Sequence, residues 1–268
     1  MKTQSKHLFL LGLLTFVAII ATGCPHKSEP EPTPATPTIT MKNGSEIRSL
    51  LIGTNLKANS EATTFKASKT PAPTGITTET LSADGSGIEC VAWLDTTSKT
   101  IYYYAKGYTD SGKKIPLKDC ASMFSQCAGL KEIDISGFDT SKVATFASMF
   151  TSCTALTDIV GLDTLNTASA TSFRYMFYKC GAMTTIDISS FDASKVTDIV
   201  MMFSECSALT TIYAKTGTDW SSISSADMFL NCTSLKGGAG TAWQTGKSTN
   251  AYARIDGGTS APGYFTAK

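Results

Sequence analysis

From about residue 116 the apolar positions of the chain fall into a fixed rhythm. A Met-Phe pair with a Cys three residues on occurs at Met123-Phe124…Cys127, Met149-Phe150…Cys153, Met176-Phe177…Cys180, Met202-Phe203…Cys206 and Met228-Phe229…Cys232, spaced by 26, 27, 26 and 26 residues. Three residues past each cysteine lie Leu130, Leu156, Met183, Leu209 and Leu235, and three further on lie Ile133, Ile159, Ile186 and Ile212. Such a period marks a repeat architecture: no unit can bury its apolar side alone, and stacked neighbours make one continuous core.

Inside a unit, "LKEIDIS" (130–136) and "MTTIDIS" (183–189) alternate apolar and polar residues, the period of a strand with one buried face. "FDTSK" and "FDASK" are turns, with Asp and Ser side chains positioned to satisfy backbone amides two residues on. Val143, Phe146, Met149 and Phe150 are spaced to share one face of a short helical turn, as are Val196, Ile199, Met202 and Phe203. The extra residue of the 27-residue unit falls between Ile159 and Leu165, in a loop, with Leu165 in the place of Phe138. The apolar phase is intact on both sides of it.

The flanks read as covers for the open ends of the repeat. "VAWLD" and "TIYYYA" predict a hairpin across Thr96-Thr97-Ser98-Lys99. In the fifth unit the "IDIS…FD" register gives way to "IYAKTGTDW", and a Gly-rich tail carrying Trp243, Tyr252, Tyr264 and Phe265 is placed to lie over the last unit. "ITMKNGSEIRSLLIG" reads as a strand or an amphipathic piece, and the rest of 41–89 as an irregular part of the first cover. The predicted boundaries are 41–115 for this N-terminal region with its hairpin, 116–236 for the repeat and 237–268 for the C-terminal cover.

Ahead of these, Lys2 and Lys6 precede the apolar run Leu8–Ile20, which is thirteen residues long and too short to span a bilayer. It ends in Ala21-Thr22-Gly23-Cys24, which resembles the lipobox of bacterial lipoproteins, with Ala21 where Leu is commonest. That resemblance implies a signal peptide over 1–23 and a diacylglycerol and acyl (palmitate-type) lipid on Cys24. The alternative is an ordinary signal peptide with Cys24 a bystander. Residues 24–40, rich in Pro, Glu and Thr, read as a solvated polyproline II tether. The implied location is the cell envelope, anchored to the outer membrane and facing outward. No acidic run follows Cys24, so a periplasm-facing orientation stays open.

The units themselves resemble the 26-residue repeat of bacterial surface proteins, the DUF285 or BspA-like family, whose pattern runs roughly MFxxCxxLxxIDLSxFDTSxVTxMxxMF. The likeness covers about 116–236, and "VAWLDTTSKTIYYYAKG" and the Gly-rich tail resemble the segments that flank such repeats. It implies an α/β repeat solenoid, leucine-rich-repeat-like: a right-handed stack of about five 26-residue coils with parallel strands and short helical turns, capped at both ends. It also implies adhesion to a host extracellular-matrix protein, a glycan or another bacterial surface.

Composition narrows the chemistry. With a net charge of +1 the chain lacks the basic balance of a nucleic-acid binder. The only histidines are His7 and His26, so the segments after the tether hold no imidazole for Ser-His-Asp or Cys-His catalysis or for a His-ligated metal. The repeat cysteines would sit about one strand spacing apart with parallel side-chain vectors, poorly placed for disulfides, and a linear file offers no tetrahedral zinc site. They read as small buried thiols packed beneath each Met-Phe pair. On that reading Cys180→Ser costs about 1–3 kcal/mol as a buried unpaired hydroxyl, and Cys180→Ala less. Cys90 with Cys120 is a candidate isolated disulfide. Asp134, Asp187, Asp139 and Asp192 recur with the period and read as outward strand residues and turn caps. No catalytic residue, metal or soluble cofactor is expected, and the structural core is the twenty Met, Phe, Cys and Leu/Met positions above. The function that follows is a non-catalytic binding or adhesion module. A structural or decoy envelope protein is the alternative, and a carboxylate-based glycosidase the remote one.

Overall fold

In the computed structural model, which describes residues 37–268, each alternating segment is a strand paired with the strand one period away. The signal, Cys24 and the tether as far as residue 36 lie outside the described residues. In chain order the elements are α1 (Gly44–Leu51), β1 (Thr64–Ala67), β2 (Glu79–Thr80), β3 (Cys90–Asp95), β4 (Thr100–Ala105), β5 (Ile115–Pro116), β6 (Glu132–Asp134), β7 (Phe138–Asp139), β8 (Asp158–Val160), β9 (Thr185–Asp187), β10 (Thr211–Ala214) and β11 (Phe265–Ala267). Among the described residues the fold is sheet-rich and repeat-like, with mostly parallel strands, few helices and no closed barrel. One sheet runs β2-β3-β4-β1-β6-β8, another β9-β10-β11, and β5 pairs with β7. Register follows the period: Ile133 lies opposite Ile159, and Ile186 opposite Ile212.

The side of each unit that carries Met-Phe is not helical. From Phe146 to Leu156 it is a run of turns joined by i→i+3 bonds, and Ser148 and Ser152 both have φ of 59°. The same left-handed positions recur at Ser122, Tyr175, Met201 and Asp227, and at Gln126, Lys179, Glu205 and Asn231. The departure from the predicted helical turn has a reason. A three-residue turn period puts Val143, Phe146 and Met149 on the inside just as a helix would. In the first four units each left-handed residue then swings its N–H along the stack instead of back into its own unit. Thus Ser152 N donates to Tyr178 O (2.7 Å), and Phe124, Phe150, Phe177 and Phe203 N donate to Met149, Met176, Met202 and Met228 O (2.9–3.0 Å). The left-handed conformation costs roughly 1–2 kcal/mol for a residue with a Cβ, and these bonds offset it.

Inside, the repeat phenylalanines form a ladder. Phe124, Phe150, Phe177, Phe203 and Phe229 stack at 5.6–5.9 Å between centroids with rings within 9° of parallel. Phe65 of β1 meets the first ring edge-on at 5.0 Å, and Tyr264 meets the last edge-on at 5.1 Å. An edge-on ring thus terminates the stack at both ends, a favoured geometry for aromatic pairs.

At the N-terminal end the hairpin forms with Asp95 opposite Thr100, but β1 stands between it and the first repeat strand, pairing with β4 and β6. The piece before it is the helix α1. Asn43 Oδ1 accepts from Glu46 N (3.0 Å), and Glu46 Oε2 accepts from Asn43 N (2.9 Å), a capping box. The helix buries Ile47 and Leu51, and its Gly44 is close to the first unit, where a Cβ would lie 2.3 Å from Ala121 O. Residues 38–40 belong with this cover rather than with the tether. Ile39 is buried, Gly87 N donates to Thr38 O and Ala83 N to Thr40 O.

The extra residue of the 27-residue unit keeps the apolar phase, since Leu162 and Leu165 are buried, but it interrupts the sheet. Gly161 turns at φ 84° into a 3-10 turn, Leu162–Thr164, and β8 and β9 do not pair. The same two units stay joined on the Met-Phe side through Phe150 N to Met176 O. β10, in the unit that begins at Met202, keeps the strand, and the corner that follows it departs from the repeat.

The C-terminal segment closes the other end. β11 pairs in parallel with β10, Tyr252 stacks on Tyr264, and Trp243 Nε1 donates to Phe229 O at 2.8 Å. Its hub is the buried Asp256 carboxylate, which accepts from Ala239 N, Thr241 N and Gly258 N (2.9 Å each) and from Thr241 Oγ1 (2.7 Å).

Candidate functional site

The repeat cysteines are the most reactive side-chain type in the core, and their geometry assigns them a different task. Four of the five thiols, all but that of Cys127, point back at the preceding unit. Cys153 Sγ donates to Phe124 O (3.0 Å), Cys180 to Phe150 O (3.2 Å), Cys206 to Phe177 O (3.0 Å) and Cys232 to Phe203 O (2.9 Å). The cysteine is therefore a hydrogen-bond donor between units as well as a small apolar wedge, which spacing alone does not reveal. Burial pushes the Cys153 and Cys206 thiols up to about 12. They stay protonated near neutral pH, the state needed to donate and the wrong state for a nucleophile. Met123, Phe124, Cys127, Leu130 and their counterparts in the four later units are all buried.

This geometry reverses the order expected from the sequence. The carbonyl that Cys180 contacts already accepts from Cys153 N, so no acceptor is orphaned when the thiol goes. A hydroxyl at 180 keeps a donor aimed at that oxygen, whereas Ala removes the donor and leaves a gap. Cys180→Ser is expected to be at least as stable as Cys180→Ala, each costing on the order of 1–2 kcal/mol. Denaturant midpoints of the two variants check the order. Cys90 and Cys120 are both free and buried, so the candidate disulfide is absent.

The recurring acids cap turns. Asp134, Asp139, Asp187 and Asp192 accept from the amides of Ser136, Ser141, Ser189 and Ser194 at 2.8–2.9 Å. The Ser141 and Ser194 bonds hold the Asp139 and Asp192 carboxyls below the usual carboxylate range. Asp187 is also lowered. Partial burial there works against ionisation, while Lys268 and Ser189 favour it. Among the described residues no three Cys, Asp, Glu or His side chains converge as a metal site would require, and no helix is long and apolar enough to cross a membrane.

What the fold leaves for recognition is surface. The inward file Ile133, Ile159, Ile186 and Ile212 is constant, whereas the outward positions one residue on are Asp134, Val160, Asp187 and Tyr213. Val160 and Tyr213 are among the few exposed large apolar residues. One cleft opens beside a turn corner and another in the N-terminal cover. The first, of about 640 Å3, lies beside Val196, Asp219, Trp220 and Ile223. The other, of about 550 Å3, lies between the Pro71–Pro73 loop and the edge of β3 at Trp93–Asp95.

Residues 118–243 match the family model described as "Mycoplasma protein of unknown function, DUF285". No curated protein and no solved structure matches the chain. Together with the 26-residue period and the Met-Phe-x-x-Cys core, that match makes the repeat segment, residues 118–243, similar to the DUF285 family.

Proposed function

We propose that the chain is a lipid-anchored bacterial envelope protein that works as a non-catalytic binding scaffold. On this reading the units wind as a right-handed, leucine-rich-repeat-like solenoid, the hand nearly all parallel crossover connections take. The tether holds it off the membrane, and its surface adheres to a host matrix protein, a glycan or a neighbouring cell. The observation that carries the proposal is the contrast within each unit. Inward positions repeat almost unchanged and absorb the thiols, while the outward strand position is Asp at 134 and 187 but Val at 160 and Tyr at 213. A repeat that spends its identity on the core and its variety on the surface is built as a presenting scaffold.

The test offers the full chain to matrix proteins, glycans and bacterial cells. Saturable binding to at least one is expected, and none across the panel contradicts the proposal in favour of a purely structural or decoy role. The anchor has a separate check. Cys24→Ala is expected to release the protein from membranes and abolish fatty-acid labelling, and unchanged partitioning would refute it.

A further inference from the structure

At the four positions that flank each Met-Phe pair, the third unit alone carries aromatic and basic side chains. At the two left-handed positions and their neighbours the second unit carries Ala147, Ser148, Thr151 and Ser152, whereas the third carries Arg174, Tyr175, Tyr178 and Lys179. Backbone geometry does not ask for the exchange, since φ is 59° at Ser148 and 55° at Tyr175, and 59° at Ser152 and 60° at Lys179.

The four side chains form one cluster. The Arg174 guanidinium lies over the Tyr175 ring at 4.7 Å, Lys179 Nζ over the Tyr178 ring at 5.1 Å, and the two rings meet edge to face at 5.4 Å. Arg174 Nη2 also donates to Tyr175 Oη at 3.3 Å. The acids of the next unit are already engaged. Asp198 caps Val200 N (3.0 Å) and reaches Arg174 only at 3.6 Å, and Glu205 accepts from Asn231 (2.8 Å). Among the described residues Lys179 has no ion-pair partner and is exposed.

We propose that Arg174, Tyr175, Tyr178 and Lys179 form a docking site for an acidic polypeptide segment of a partner protein. The inference rests on the binding-scaffold reading and names its surface and partner class. Tyr and Arg are the side chains that dominate protein–protein hot spots, and the small residues of the second unit supply a low-entropy rim. The cations are held in place over the rings before a ligand arrives, so little side-chain entropy is lost on docking. A Glu side chain supplies both halves of the match, with its carboxylate on Lys179 and Arg174 and its aliphatic stem on the tyrosine edges. Each ring already has a cation over one face and the other ring against it, which disfavours stacking of a sugar.

The test copies the second unit into the third: Arg174→Ala, Tyr175→Ser, Tyr178→Thr and Lys179→Ser in one full-length variant, whose fold is checked by its unfolding midpoint. Fluorescent poly-L-glutamate is the probe, with polygalacturonate and poly-L-lysine in parallel. The parent chain is expected to bind poly-L-glutamate in a salt-sensitive manner, and the variant about tenfold more weakly, the loss expected for one or two hot-spot side chains. Equal binding by the variant would place recognition on another face and overturn this site while leaving the scaffold reading intact. Binding of polygalacturonate alone would overturn the partner class. No binding of poly-L-glutamate by the parent chain would overturn the proposal, and the matrix-and-cell panel then decides the scaffold reading separately.

Discussion

Replacing Phe177 by Ala is expected to destabilise the protein by about 3–5 kcal/mol, the range for a fully buried aromatic ring cut to a methyl group. Phe177 is the middle rung of the ladder, 5.6 Å from both Phe150 and Phe203 and nearly parallel to each. Its loss leaves a cavity and removes two stacked contacts of about 0.5–1.5 kcal/mol apiece. The unit is coupled only to its neighbours, so the variant should also separate into two melting segments where the parent melts as one. Guanidinium titrations followed by circular dichroism read both effects. A loss below about 1 kcal/mol would mean that the ladder is not the core.

The second large effect is expected at Asp256. Its carboxylate is buried with no cation beside it and is held by the amides of Ala239, Thr241 and Gly258 and by the Thr241 hydroxyl. Asp256→Ala strands those donors, at roughly 1–3 kcal/mol for each that stays dry, and is expected to free residues 237–268 from the end of the ladder. Asp256→Asn keeps the size but turns an amide group toward N–H donors, so it should rescue little. The same group gives the cover a pH dependence. Burial alone would raise its pKa, but the Thr241, Gly258 and Gly263 hydrogen bonds outweigh burial and hold it below the usual range. A depressed folded value means its contribution is complete above the unfolded value of about 3.9 and is lost as pH falls through the folded one. Hydrogen exchange is therefore expected to rise in 237–268 ahead of the repeat as pH drops below about 4. It should be fast at neutral pH in Asp256→Ala, and protection unchanged in that variant would contradict the assignment.

Much of this architecture is legible in the sequence. The period fixes the strand register, because a slip of one residue would turn Ile133 or Ile186 out of the core. The hairpin register across Thr96–Lys99 follows from its alternation. The run of turns on the Met-Phe side is not legible as such, because inward spacing of three arises equally from a helix. Its marker, a left-handed φ at Ser, Tyr, Lys or Glu, has no compositional signature without glycine. "NGSE" carries the Asn43–Glu46 capping box and so a signal for α1 that is readable in advance. "TFKA" has one core residue, and β1 exists because β4 and β6 lie on either side of it. The thiol hydrogen bond was invisible because its acceptor belongs to another unit. The opening between β8 and β9 was hidden for the opposite reason. An inserted residue that preserves the apolar phase still changes the backbone path at Gly161.

These units stack in register, one period to one layer. Two deletions test it together. Removing residues 176–201 takes out one full period and joins Tyr175 to Met202, so each left-handed, turn and strand position passes to its counterpart. Removing half as many from the same point joins Tyr175 to Ser189 and puts a polar turn residue where the inward Met176 stands. Guanidinium unfolding of both is the measurement. A folded, cooperatively melting protein is expected for the full-period deletion and no cooperative transition for the half-period one. Comparable loss of structure in both, or comparable tolerance, would contradict it.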